Sequence, residues 1–369
     1  MTRVSVPAGL RPHRPTGVGP RHPAGGSPRR PAGLRPRRHQ AGLTLVELMV
    51  AVALGLVVAI ASVAALVIAR QGFTVVDSSS QLRENTRFAT SLIQRVGIQA
   101  GFEGPVSDWK LFCRDGELAC GDVNGDTNPG IRGYDNAIAP SPFTLASLAH
   151  ASRSGGCGAV TDTSCLNGSD LLMVRYWGDG RTVVSADGSM INCAGMSEAE
   201  GTAPAYSVFH VVRSSAGEPT LACSYRDTAG AWQVVPLVQG VESFQVLYGV
   251  DNVTANTAPA SQDTGTDSVP DRYLRASQLD VAGNALATAD NWRRVRSVRI
   301  GLLIRGAPGS AVDRAASGRA YDVLGADFTD AADIGSRLTV VADGRLRQNV
   351  VFTVHMRNPQ FKIPQSLNP

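Results

Sequence analysis

Lysine is nearly missing from this chain: of 35 basic residues only Lys110 and Lys362 are not arginine. We assign that bias no functional weight. Catalytic signatures are absent too. His150, His210 and His355 stand isolated, there is no G-x-S-x-G or H-E-x-x-H, and no glycine-rich phosphate loop follows a strand pattern. A zinc ribbon would need C-x2-C spacing, which the six cysteines lack. These absences point to a protein that is not an enzyme and needs no cofactor.

Residues 1–42 hold nine arginines and no Asp or Glu, so the formal charge of +4 misrepresents the rest of the chain. Beyond residue 42 there are 26 basic and 31 acidic residues, a formal charge of −5. A nucleic-acid partner, which a basic chain would suggest, is therefore not expected. The same 42 residues hold eight prolines spread among Gly and Arg. Such a segment cannot bury enough apolar surface to fold and reads as a leader.

An apolar run follows. Its 27 residues from Leu43 to Ala69 carry one charge, Glu47, no Pro, and one interior glycine, Gly55. As a helix this run spans about 40 Å, more than the roughly 30 Å hydrocarbon core of a bilayer. Arginines ahead of it place the N-terminus in the cytoplasm and the remainder on the other side. Glu47 is out of place in a plain anchor. A carboxylate costs about 2.5–3.5 kcal/mol at mid-membrane, so it calls for a partner or a purpose.

Gly42-Leu43-Thr44-Leu45-Val46-Glu47-Leu48 resembles the processing site of type IV prepilins. That resemblance implies cleavage after Gly42 by a prepilin peptidase, methylation of Leu43 as the new first residue, and a role for Glu47 in assembly, where it neutralises a neighbouring subunit's terminal amine. Burying either charge unpaired would be heavily penalised. Two features depart from the commoner pattern: Leu43 stands where Phe is usual, and the leader is long.

After Arg70 the pattern turns amphipathic. Val75, Leu82, Ala89 and Val96 recur every seven residues, Phe88, Leu92 and Ile93 widen the stripe, and polar side chains fill the other face. The helix is expected to continue to about Ile98, with Gly97 and Gly101 as stop signals, and to pack on a sheet. Beyond residue 101, short apolar runs alternate with turn-rich stretches. Expected strands are Leu171 to Trp177, Tyr206 to Arg213, Thr220 to Arg226, Trp232 to Val238, Val241 to Val250, Val295 to Leu303 and Val350 to His355. Three of these stretches, Gly240 to Asp251, Val295 to Arg305 and Phe352 to Asn358, resemble strand signatures of PilW-type minor pilins.

The cysteines all lie past the apolar run, which suits an oxidising compartment. Sequence-local pairing gives Cys113 with Cys120, Cys157 with Cys165 and Cys193 with Cys223, the simplest of about 15 connectivities. Asp122, Asn124 and Asp126 alternate as in a calcium loop, but Thr127 replaces the required Gly and Gly133 the bidentate Glu. Calcium is the one ion this stretch would admit, and a solvated turn is the plainer reading. Asp263, Asp267 and Asp271 form a second, diluted acidic loop.

The expected fold is thus α+β and pilin-like: a long N-terminal hydrophobic helix packed on an antiparallel β-sheet domain with long loops. Its parts are a leader at 1–42, a membrane and filament-core helix at 43–69, an amphipathic continuation at 70–100, and an extracytoplasmic β-rich domain at 101–369. The resemblance implies a PilW-like minor pilin that takes part in initiating or assembling a type IV pilus. Its partners would be other minor and major pilins, the prepilin peptidase and the inner-membrane assembly platform. It would be a single-pass inner-membrane protein with a periplasmic C-terminal domain, later part of the pilus at the cell surface. A minor pseudopilin of a type II secretion system, or a membrane-anchored adhesion or binding module, would share parts of this sequence logic.

Overall fold

A computed structural model of the chain describes residues 42, 44–102, 129–137, 139, 143–145, 148, 166–178, 188–198, 204–259, 267–311, 318–331 and 333–358. Helix α1 (Leu45–Gly97) runs for 53 residues, about 80 Å at the α-helical rise. Past Gly97 the amides of Gln99 and Ala100 bond to the carbonyls three residues back, at Val96 and Gly97. Gly101 then turns with φ +71°. A tightened last turn followed by a left-handed glycine satisfies carbonyls that the helix leaves open.

Two compact units divide the chain between Ser62 and Val63, inside α1. In the first, the described helical side chains are exposed and, Glu47 and Ser62 apart, apolar, among them Leu45, Val46, Leu48, Leu54, Val57 and Ile60. Within the second, the helix buries one stripe: Ser78, Leu82, Thr86, Ala89, Ile93, Val96 and Gly97. Steps of three and four residues keep these on one face. Phe88, expected to widen the stripe, is instead 51% exposed. One residue is about a 100° rotation, which carries Phe88 from beside Ala89 toward solvent.

All seven expected strands form, as β2 (Leu171–Tyr176), β3 (Ala205–Arg213), β4 (Pro219–Arg226), β5 (Trp232–Gln239), β6 (Val241–Val250), β8 (Val295–Arg305) and β11 (Arg347–His355). The chain adds β1 (Ile131–Tyr134), β7 (Arg272–Leu274), β9 (Arg319–Asp322) and β10 (Arg337–Val340). Two short helices, α2 (Ala276–Leu279) and α3 (Ala285–Arg293), lie between β7 and β8. Among the described residues the strands pair antiparallel in three sheets with orders β1-β2-β3-β4-β5, β11-β8-β6-β7 and β10-β9.

One chain path links the two larger sheets. β5 ends at Gln239 and β6 begins at Val241, with Gly240 as the corner at φ +88°. A Cβ there would collide with the Arg305 carbonyl, which accepts no closer approach; only glycine meets both demands. The main core lies between these layers. It joins Leu82, Ala89, Ile93 and Val96 of α1 to Leu172, Val174, Phe209 and Leu221 of the first sheet and to Phe244, Val246, Tyr248, Ile300 and Leu302 of the second. Leu247, on the opposite face of β6 from Val246 and Tyr248, is buried as well, because both faces of this central strand are covered.

The remaining faces have their own covers. Tyr134, Leu171, Met173, Tyr206 and Val208 pack under Phe143 and Leu148. Leu303 packs against Val323 and Leu338, the latter on the β9–β10 hairpin.

Candidate functional site: the processing and assembly segment

Gly42 precedes the helix in non-helical backbone, exposed, with open space where a Cβ would stand. Leu43 lies outside the described residues. Thr44 starts the helix: its carbonyl accepts from Leu48 N (3.1 Å) and its Oγ1 from Glu47 N (3.3 Å). This is the Thr-x-x-Glu arrangement of a helix N-cap, with a carboxylate in the first turn where the helix dipole favours it. Glu47 is exposed, and it is the only ionisable residue between Leu45 and Ala69.

The surface around it is apolar. Among the described residues α1 is the one helix long and apolar enough to cross a membrane, and none of its most apolar window is buried. Within the helix Ser62 turns its hydroxyl onto the Val58 carbonyl at 2.8 Å, so this polar group adds no free donor to the surface. Such a surface is stable only against lipid or against other apolar helices.

The other end of α1 is fixed by polar contacts that the sequence did not reveal. Gln99, 7% exposed, pairs its side-chain amide with one residue: Nε2 donates to Ile191 O (2.9 Å) and Ile191 N donates to Oε1 (2.8 Å). Gly101 N donates to Arg175 O and Trp177 N to Phe102 O, which ties the chain after the helix to the end of β2. Asn358, past β11, donates to the carbonyls of Ile98 and Ala100.

Of the expected cysteine pairs, Cys193–Cys223 is formed, with Cα atoms 5.7 Å apart. Cys113, Cys120, Cys157 and Cys165 lie outside the described residues, as do Asp122, Asn124 and Asp126, so neither those pairings nor that loop is placed. In the second acidic loop Asp263 is likewise outside, but Asp267 and Asp271 are described. Asp267 accepts from Val269 N (2.9 Å) and Asp271 from Asn252 N (2.7 Å). Asp251 accepts from Ser268 N (2.8 Å) and pairs with Arg296. These carboxylates are occupied in shaping the loop.

The histidines behave differently from one another. His150 lies outside the described residues, and His355 is exposed at the end of β11. On neighbouring strands His210 Nε2 and Ser224 Oγ stand 2.8 Å apart. Both are buried, Phe143 stacks over the imidazole, and Nδ1 has no hydrogen-bond partner among the described residues. Burial pulls the His210 pKa down to about 4, so the ring is neutral.

Two charged groupings were not legible as sites. Asp170 accepts from Asn136 N (3.0 Å) and Val246 N (2.7 Å), joining the turn after β1 to the centre of β6. Asp135 accepts from Ala276 N and Ser277 N at the start of α2. Burial, then the charges of Asp135 and Asp333, push the Asp170 pKa well up. Elsewhere Glu218, Glu242 and Asp343 interlock with Arg305, Arg345 and Arg347: Arg305 reaches both glutamates, at 2.7 and 3.0 Å, and Arg347 reaches Glu242 at 2.6 Å and Asp343 at 2.8 Å. Arg345 holds Glu218 at 2.9 Å. Single acids scattered over a hundred residues give no periodic or motif signal; only the fold brings them together.

The model of the Type IV Pilus-assembly protein W family matches residues 208–358, from within β3 to just past β11, and that of the prokaryotic N-terminal methylation motif matches 37–63. No curated protein matches. Among solved structures the chain is similar to a type IV-like pilin, TTHA1219, from Thermus thermophilus, with 13% identity, a TM-score of 0.33, and coverage of 74% of this chain and 95% of that one.

Proposed function

We propose that the chain, a type IV minor pilin of the PilW family with a role in pilus assembly, enters the filament after cleavage between Gly42 and Leu43, methylation of Leu43, and pairing of Glu47 with the terminal amine of a neighbouring subunit. The observation that carries this reading is the isolated carboxylate of Glu47 on the first turn of a Thr44-capped helix whose surroundings are apolar and exposed. In the bilayer that charge sits near the interface, where its cost is smallest. Transfer of α1 from lipid to a bundle of other helices exchanges one apolar environment for another, so packing and charge pairing supply the specificity. Family membership implies association with other pilus components. We take these to be other minor and major pilins, the prepilin peptidase and the inner-membrane assembly platform.

The arginine-rich leader sets the orientation: N-terminus cytoplasmic, the domain after α1 periplasmic, then exposed on the pilus. N-terminal sequencing of the filament-associated chain is expected to begin at methylated Leu43, and any other start sinks the cleavage step. Glu47→Ala is expected to leave membrane insertion intact and to reduce incorporation at least ten-fold. Normal incorporation of that variant, measured by immunoblot of sheared pili, would exclude the pairing.

A further inference from the structure

Residues 188–198 form a small self-closed loop. Glu198 N donates to Met190 O, Asn192 N to Met196 O, and the Asn192 side chain accepts from Ala194 N and Met196 N while donating to Glu198. Among the described residues, Ile191 and Cys193 link it to the rest of the protein. Ile191 takes both hydrogen bonds of Gln99 and a third at 2.9 Å from the Tyr176 hydroxyl. Cys193 bonds covalently to Cys223 on β4, and its N–H donates to Ser207 Oγ on β3, itself 3.2 Å from the Tyr176 hydroxyl. The loop therefore bridges the end of α1 on one side and three strands of the first sheet on the other. Ile191 and Cys193 are two residues apart, so whatever fixes the sulfur fixes the pair of backbone atoms that Gln99 reads.

We propose that this loop is an oxidation-set clasp: forming Cys193–Cys223 seats Ile191 against Gln99 and so locks the C-terminal end of α1 to the sheet. Both cysteines are fully buried in the closed state, where no exchange partner reaches the sulfurs. The bond must therefore form before or as the loop closes. Chemically, two thiols pass two electrons and two protons to an oxidised protein disulfide carrier, giving the Cys193–Cys223 bond and the carrier's dithiol. The inference rests on the proposed periplasmic placement of this domain only in naming where that carrier acts. A reduced subunit would carry α1 with a frayed end, and the oxidised one a helix whose motion is coupled to the sheet.

Amide hydrogen exchange on the full chain in detergent tests the clasp. Replacing both cysteines, Cys193→Ser with Cys223→Ser, is expected to speed exchange at residues 98–102 at least ten-fold, while Val246 and Ile300 in the second sheet keep their protection. Gln99→Leu, which leaves the disulfide intact, should produce the same local acceleration, and combining it with the serine pair should add nothing. Wild-type protection at 98–102 in either variant overturns the proposal. Should the serine pair fail to fold, Cys193→Ala with Cys223→Ala is read in its place, against the same expectation. Alkylation trapping in cells adds a second reading: free thiols at Cys193 and Cys223 in subunits already within filaments also overturn it. The exchange result is read on purified chain and is independent of cleavage after Gly42. Failure of the filament reading shows instead as normal incorporation of Glu47→Ala with the clasp intact.

Discussion

Asp333 is 6% exposed, and burial, then the charge of Asp135, pushes its pKa from 3.8 up to about 6. The folded state binds this proton more tightly than the unfolded chain does. Its contribution is fully present below pH 3.8 and is lost as pH rises through about 6, amounting to at most about 3 kcal/mol. Asp170 is shifted in the same direction, chiefly by burial. Glu218 and Asp343 are shifted down, first of all by hydrogen bonds from Arg345 and Arg347, and lose their contribution at acid pH instead. Asp333→Asn is accordingly expected to flatten the fall in stability between pH 4 and 6, as read by urea unfolding across that range; an unchanged slope would refute the assignment. None of this was visible in the sequence. An aspartate near residue 333 looks like any loop acid until the fold sets Asp135 and Asp170 beside it.

Helix α1 shows how far a periodic pattern carries. Ile93 was placed in the buried stripe and is fully buried, whereas Phe88, from the same reading, is half exposed. Ile93→Ala is expected to cost about 2–5 kcal/mol by cavity formation, and Phe88→Ala under about 0.5 kcal/mol; paired thermal melts separate the two. The seven strands found in advance are long enough to show alternation or a continuous apolar run. The four that were missed, β1, β7, β9 and β10, have three or four residues each, and such segments exist only because a partner strand offers its edge. Disulfide pairing follows a similar division. Sequence order suggested Cys193 with Cys223, but the sheet register that sets Cys223 beneath the 188–198 loop is tertiary. In the chain-entropy picture closing that 30-residue separation is worth about 3–4 kcal/mol.

Across the whole domain the two larger sheets are held at their corner by Gly240 and by the interlocked charges beside it. Glu242 and Arg347 each keep only 6% of their side chains exposed, and removing the Glu242 charge leaves Arg347 with Asp343 and Arg305 with Glu218 as their remaining acids. Glu242→Gln is expected to destabilise the domain by about 1–3 kcal/mol, seen as a lowered melting temperature. A change under about 1 kcal/mol would mean that the network is solvated and holds nothing. Gly240→Ala should be destabilising for a different reason, the collision with the Arg305 carbonyl. By itself the sequence determined the parts of this protein whose physics is local: an apolar helix with one carboxylate, a stripe that repeats with the helical turn, and strands that alternate. Those depend on neighbours a few residues away, so a linear reading suffices. The corner between sheets, the buried acids, the charge network and the hold of Gln99 on Ile191 depend on groups far apart in sequence: 63 residues for Arg305 with Glu242, 92 for Gln99 with Ile191, 127 for Arg345 with Glu218 and 141 for Asp135 with Ala276. Only the folded chain brings such groups within hydrogen-bonding reach, where removal from water gives each contact its strength.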